Sequence, residues 1–320
     1  MNSKGGYFEL ELRKGEHYHK DAIKLNTARN SFEYVLLARH YRKVYVPYYT
    51  CEVMLEPIKK LGIEYDFYKI DENLEPKSLP ELLFGEAFLY TNYFGLKQGC
   101  VKRLAEVYGE RLIVDNAQAF YAESIQGIDT FYSARKFFGV ADGAYLYTTN
   151  KLEQEIGQDV SCERMSHLLK RLDMGAEAGY QEFRNNDDYL CGQEVKMMSR
   201  LTEAVMCGID YKAAKQKRRD NFAFLAEKLR YSNLIHLELD DEAVPMVYPY
   251  LTNDILLRQR LIENKVFVAT YWPNVKGWVD EGTLERELTD NLIPIPCDQR
   301  YGIEDMNTIV NFVDECTKSL

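Results

Sequence analysis

Arg111-Leu112-Ile113-Val114-Asp115-Asn116-Ala117-Gln118 contains a short apolar run, Leu112–Val114, that ends on an acid. A run of this kind reads as a strand covered on both faces. The same pattern repeats on either side of it. Val44–Val46 reads as a strand followed by a loop at Pro47, and Glu52–Leu61 has helical spacing that stops at Gly62. Glu64–Ile70 alternates like a strand. Ala87–Tyr93 reads as a buried strand ending before Gly95, and Val101–Tyr108 as a helix stopped by Gly109. Ala144–Thr148 is a further strand after the Asp142-Gly143 turn. Alternation of this type predicts an α/β fold, a mainly parallel mixed sheet covered by helices. Ligands of such sheets gather beyond the carboxyl ends of the strands, which is where Asp115 falls.

The second half is α+β in character. Residues 151–198 are polar and irregular, and Arg184–Asp188 reads as a loop. One long helical pattern covers 199–230. Strands are expected near Ile235–Leu239, Met246–Leu251 and Val266–Tyr271, and helices at Asp254–Asn264 and Ile303–Thr317. A chain of 320 residues accommodates two units at roughly 100–200 residues each. The division expected is a large unit over 1–200 and a small C-terminal unit over 201–320.

Composition narrows the function classes. The formal net charge is −10, and no run of five basic residues occurs, so no nucleic-acid partner is expected. Lys215-Gln216-Lys217-Arg218-Arg219 reads as a solvated helix face. Seven scattered cysteines without a CxxC pair read as reduced thiols. The polar start Met1-Asn2-Ser3-Lys4-Gly5-Gly6 lacks the apolar segment of a signal peptide. No apolar run approaches the roughly 18 residues of a membrane span. A cytoplasmic location is therefore expected. His17 and His19 share a strand face, but two ligands make a poor metal site, and a surface or packing role is expected for them. No nucleophile-elbow, zinc-protease, dinucleotide or P-loop pattern is present.

Three segments carry candidate chemistry. In Leu25-Asn26-Thr27-Ala28-Arg29-Asn30-Ser31-Phe32, Asn26 or Thr27 sits where a helix cap belongs. A helix start offers free N–H groups and partial positive charge to a phosphate; Thr27 and Ala28 let the backbone approach, and Arg29 adds charge. The other reading of the segment is an ordinary capped helix. Asp115, at the end of its strand, is placed either to cap the next helix or to hold the protonated nitrogen of a pyridine ring. Gln118, three residues on, shares its side if the segment turns helically. Finally, Ser133-Ala134-Arg135-Lys136-Phe137-Phe138 sets a lysine among aromatics. Desolvation by such neighbours favours the neutral amine, which forms Schiff bases with carbonyl compounds such as pyridoxal phosphate. Arg135 either adds like-charge pressure or points to solvent.

The order of these pieces resembles fold-type I pyridoxal-phosphate enzymes, and more narrowly the DegT/StrS sugar aminotransferases. Leu25–Phe32 resembles that family's phosphate helix, Val46-Pro47-Tyr48-Tyr49-Thr50-Cys51 its "vP-x-x-T" segment, and Val114–Gln118 its "E-D-x-A-Q" motif. Ser133–Gly143 resembles its lysine segment. Tyr248–Leu251, Tyr271–Pro273 and Leu292–Pro296 resemble its small-domain strands, so the likeness runs from about 20 to 315. It implies pyridoxal 5′-phosphate as cofactor, Lys136 as the lysine that bonds it and shuttles protons, Asp115 on the ring nitrogen and Gln118 on the ring oxygen. It also implies Thr27, Ala28, Arg29 and Ser133 around the phosphate. It further implies a homodimer that moves an amino group from glutamate to a keto-sugar nucleotide, in cell-surface polysaccharide or related biosynthesis. Cys51 stands where the family has a ring-stacking aromatic, with Tyr49, Tyr93 or Phe94 as replacements. Ser133 and Lys136 are closer together than is usual, and Ala141-Asp142-Gly143-Ala144 replaces the family's "GEGG". The alternatives are another fold-type I enzyme, a lyase or amino-acid transaminase, or a non-catalytic binding or regulatory relative.

Overall fold

A computed structural model describes residues 4–318. Seven strands form the main sheet: β1 (Ile23–Leu25), β2 (Lys43–Pro47), β3 (Glu64–Tyr68), β4 (Glu86–Thr91), β5 (Leu112–Asn116), β6 (Asp129–Ser133) and β7 (Ala144–Tyr147). Their order is β1-β7-β6-β5-β4-β2-β3. β7 runs antiparallel to its neighbours β6 and β1, and the other pairings are parallel. The central strands β5 and β6 are buried at every position, as a sheet covered on both faces requires. The edge strand β3 alternates between open and half-buried residues up to Tyr68, which is buried. The α/β architecture is thus the expected one.

Alternate residues of each strand feed two cores. Ile113, Phe131, Leu146, Val44 and Val46 pack against Phe32, Val35 and Leu36 of α1 (Ala28–Arg39) and Ile58 of α2 (Leu55–Lys60). Leu112, Val114, Tyr132 and Tyr145 face the other core, with α3 (Gln98–Tyr108). That second core continues without a break into the C-terminal residues Phe222, Tyr250, Ile293 and Val313. There, β8 (Val247–Leu251) pairs antiparallel with β9 (Leu292–Pro296).

Several elements differ from expectation. β6 was not foreseen, because its ends are polar; Asp129 is buried there by pairing with Arg39 Nε at 2.8 Å. Arg184–Asp188 lies inside α5 (Tyr180–Tyr189), which follows α4 (Ser166–Met174). The pattern over 199–230 is two helices, α6 (Arg200–Cys207) and α7 (Tyr211–Leu229). They part at Gly208, and Asp210 caps α7 by accepting from the Ala213 amide at 3.0 Å. Ile235–Leu239 is not a strand. The Asn233 side chain takes the β8 edge instead, donating to Pro249 O at 2.9 Å and accepting from Leu251 N at 2.8 Å. Val266–Tyr271 is irregular too: Arg258, on α8 (Leu257–Glu263), donates to the Ala269 carbonyl. The chain closes with α9 (Leu284–Asn291) and α10 (Ile303–Lys318). Among the described residues, no helix is long and apolar enough to cross a membrane.

Candidate active site

Strand register brings the candidate residues to one edge. Thr91 lies opposite Asp115, Asn116 opposite Tyr132, Ser133 opposite Ala144, and Ala144 opposite Leu25. The carboxyl ends of β4, β5, β6 and β1 therefore meet, and α1 starts just beyond β1.

Thr27 caps α1. Its hydroxyl accepts from Asn30 N at 3.0 Å and donates to Asn30 Oδ1 at 2.6 Å, and its carbonyl accepts from Ser31 N. Such a cap contributes about 1 kcal/mol. The Thr27 hydroxyl is thereby committed within the helix start. Among the described residues, the amides of Ala28 and Arg29 have no acceptor, so the helix offers an anion its backbone. The helix start is strapped from outside: Asn26 Nδ2 donates to Glu194 O and Asn30 Nδ2 to Gln193 O. The Arg29 side chain is not free as expected. It pairs with Glu56 at 2.8 Å and donates to Leu190 O at 2.9 Å. Ser133, two strands from Leu25, is buried, and its hydroxyl has no partner among the described residues.

Asp115 is 5 % exposed. Oδ1 accepts from Ala117 N at 2.8 Å and Oδ2 from Thr91 Oγ1 at 3.4 Å. No helix begins here: the residues after Asn116 form a turn, so the helix-cap alternative is not realised. Burial pushes the Asp115 carboxyl above the usual carboxylate range, while the Lys136 charge and the two hydrogen bonds pull it down. Gln118, three residues on, is buried as well. Oε1 accepts from Phe94 N at 2.9 Å, and Nε2 is buried without a partner.

Lys136 stands on the turn after β6, where Phe137 N and Phe138 N both donate to Ala134 O. Its aromatic flanks do not enclose it. Phe137 and Phe138 turn inward onto Phe120, at centroid distances of 5.7 and 4.9 Å, and Lys136 itself is exposed. The expected desolvation is absent for that reason. Arg135 pairs with Asp187 of α5 rather than standing free in solvent. The Lys136 charge still reaches the site: it opposes the upward push of burial on both Asp115 and the Cys51 thiol.

Tyr49 does not offer a free face. It is 0 % exposed, edge-on to Trp272 at 5.0 Å, and its carbonyl accepts from Tyr93 Oη at 2.8 Å. Tyr93 and Phe94 are equally buried. Sequence reasoning missed the partly open ring at this wall, Tyr271, 6.1 Å from Phe94. It also missed Thr91 as a donor to Asp115, although aligning the polar ends of successive buried strands would have found it. His19 is a packing residue, 4.1 Å from the Tyr132 ring with Nε2 on Phe120 O at 2.7 Å. Among the described residues no group of three metal-ligating side chains occurs.

The edge therefore combines a helix start with free amides, a buried carboxylate, a buried amide donor lacking an acceptor, and a primary amine. Solved structures share the fold that carries this edge. The sugar aminotransferase CalS13 from Micromonospora echinospora superposes with a TM-score of 0.63 at 15% identity, over 93% of this chain and 88% of that one. The fold is that of the sugar aminotransferases. Spr1654 from Streptococcus pneumoniae in its PLP form gives 0.65 at 14%, over 94% and 89%. GDP-4-keto-6-deoxymannose-3-dehydratase (ColD), a point mutant with bound GDP-perosamine, gives 0.63 at 13%, over 91% and 87%. The expected resemblance thus holds at the level of fold. No protein-family model and no curated protein matches the chain.

Proposed function

We propose that this protein is a pyridoxal 5′-phosphate-dependent aminotransferase that moves an amino group from glutamate to a keto-sugar nucleotide, in cell-surface polysaccharide or related biosynthesis. The observation that carries the reading is the buried, unpartnered Gln118 Nε2, three residues after the buried Asp115, on the edge that also holds Lys136 and the open amides of α1. The donor set fits the cofactor. Ala28 N, Arg29 N and the Ser133 hydroxyl suit its phosphate, Asp115 its ring nitrogen and Gln118 Nε2 its ring oxygen. When bound, the cofactor supplies an electron-withdrawing ring that stabilises charge on the carbon bearing the amine. Asp115 keeps that ring nitrogen protonated. Lys136 Nζ is the nucleophile and then carries the proton on and off the reacting carbon. Its exposed position suits an amine that must swing between these tasks.

Residues 1–200 serve in this reading as the cofactor unit and 201–320 as the smaller unit that walls it. A cytoplasmic homodimer completes the reading. Leu169, Leu172, Tyr180 and Phe183 on α4 and α5 are exposed, an apolar face that a second copy would cover.

The test is spectroscopic. Purified protein given pyridoxal 5′-phosphate should show a visible band that borohydride abolishes, with the reduced adduct mapping to Lys136. An adduct on another lysine sinks the reading. A second reading, a lyase on the same framework, is favoured by the fold likeness to a dehydratase. Glutamate decides between the two: it should discharge the visible band of an aminotransferase.

A further inference from the structure

Arg218 of α7 is 1 % exposed, yet among the described residues no carboxylate forms an ion pair with it. Its partners are neutral. Nη1 donates to Pro245 O at 3.1 Å and Met246 O at 3.0 Å, Nη2 to Phe137 O at 3.4 Å, and Nε to Gln299 Oε1 at 2.7 Å. Gln299 Nε2 donates to the same Phe137 carbonyl at 2.7 Å. The guanidinium also lies over the Phe137 ring at 4.4 Å. Phe137 follows Lys136 directly, so its carbonyl and ring are both gripped from the C-terminal half.

The grip extends to the other side of the site. Met246 N donates to Phe94 O at 2.9 Å, and Phe94 N donates to Gln118 Oε1 at 2.9 Å. A single buried cation is therefore linked to the lysine turn directly and to Gln118 through Met246 and Phe94. Asn221, one turn along α7, holds the loop that carries Gln299 by donating to Cys297 O, Asp298 O and Tyr301 O. Asp298 favours the charge only from beyond ion-pair distance and is itself paired with Arg300. Burying a cation without a direct ion pair is costly, and apolar side chains of similar volume would pack more cheaply. Planar donors in a fixed fork are what holding several carbonyls at set angles requires.

We propose that Arg218 and Gln299 are positioning residues that set Lys136 against Gln118, so that the C-terminal half registers the reactive amine. The proposal rests on the aminotransferase reading above, and its test separates the two. Gln299 is half-buried, so Gln299→Leu should fold; Arg218→Lys keeps the charge but loses the fork. Arg219→Ala is the control, because Arg219 donates only to Asp240 O and Ala243 O. In cofactor-free protein, Gln299→Leu should speed hydrogen exchange at the Phe137 and Phe138 amides roughly tenfold, the loss of about one hydrogen bond. In protein loaded with pyridoxal 5′-phosphate, the pH midpoint of the visible band should move by about half a unit or more in both variants. Arg219→Ala should move neither. A normal wild-type band with an unshifted midpoint in Gln299→Leu overturns the positioning role alone. A wild-type protein with no band overturns the functional reading and this proposal with it.

Discussion

Gln118 holds the Phe94 amide with its carbonyl oxygen at 2.9 Å and keeps its own amide nitrogen buried without a partner. Buried donors left unsatisfied cost about 1–3 kcal/mol each, so an acceptor supplied by a ligand is worth most there. Gln118→Ala removes the support of Phe94 and the waiting donor together. The cofactor-free variant should lose about 1–2 kcal/mol in urea unfolding, and its affinity for pyridoxal 5′-phosphate should fall about tenfold. Unchanged affinity would separate Gln118 from the ligand site.

Lys136 is exposed and makes no hydrogen bond or ion pair among the described residues. Lys136→Ala should therefore change stability by no more than about 0.5 kcal/mol. The same variant should lose the visible band and the borohydride-stable adduct completely. A large drop in thermal midpoint would show that the lysine has a structural role after all.

Asp115 tests burial against function. Its folded-state carboxyl is raised by desolvation, so the folded chain binds that proton more tightly than the unfolded chain. The ionised group thus opposes folding above its raised pKa, and the opposition fades toward the unfolded value of about 3.9. Asp115→Asn, without cofactor, should be at least as stable as wild type near neutral pH. Transamination should nevertheless fall about a hundredfold or more. A variant destabilised at neutral pH would refute this account of the carboxylate.

His19 sets an acid limit. Desolvation lowers its pKa to about 4, against the hydrogen bond to the Phe120 carbonyl. The unfolded chain binds the proton first, so stability is complete above about 6.5 and drains away as pH falls toward about 4. The loss amounts to about 3 kcal/mol across that window. His17, lowered to about 4 by burial and by Lys24, adds to it. His19→Leu should flatten the decline in urea midpoint between pH 7 and pH 4.5; an unchanged slope would place the titration elsewhere.

Much of the framework was legible before folding. The apolar runs at Ala87–Tyr90 and Leu112–Val114 are strands because nothing polar interrupts them, and Asp115 follows its run directly, one residue before the strand ends. A cap at Asn26 or Thr27 was readable, since a cap and the amide it accepts from lie three residues apart, and the structure puts it at Thr27. β6 was hidden because Asp129 and Ser133 look like loop residues until Arg39 pairs with one and β7 with the other. Arg29 reads as free charge until Glu56 arrives. Lys215–Arg219 reads as a solvated face, and most of it is; Arg218 alone points inward and is buried.

The sequence by itself determined the alternation of strands and helices, the order of capped helix, acid and lysine, and the residue types at each, because periods, caps and strand ends are written within a few neighbouring positions. Only the tertiary structure decided where those groups face. Phe137 turned inward and left Lys136 open, Tyr49 was sealed under Trp272, and Arg218 closed on a carbonyl 81 residues away. Contacts at that separation depend on how the sheet and the C-terminal half pack, and no local pattern records the outcome.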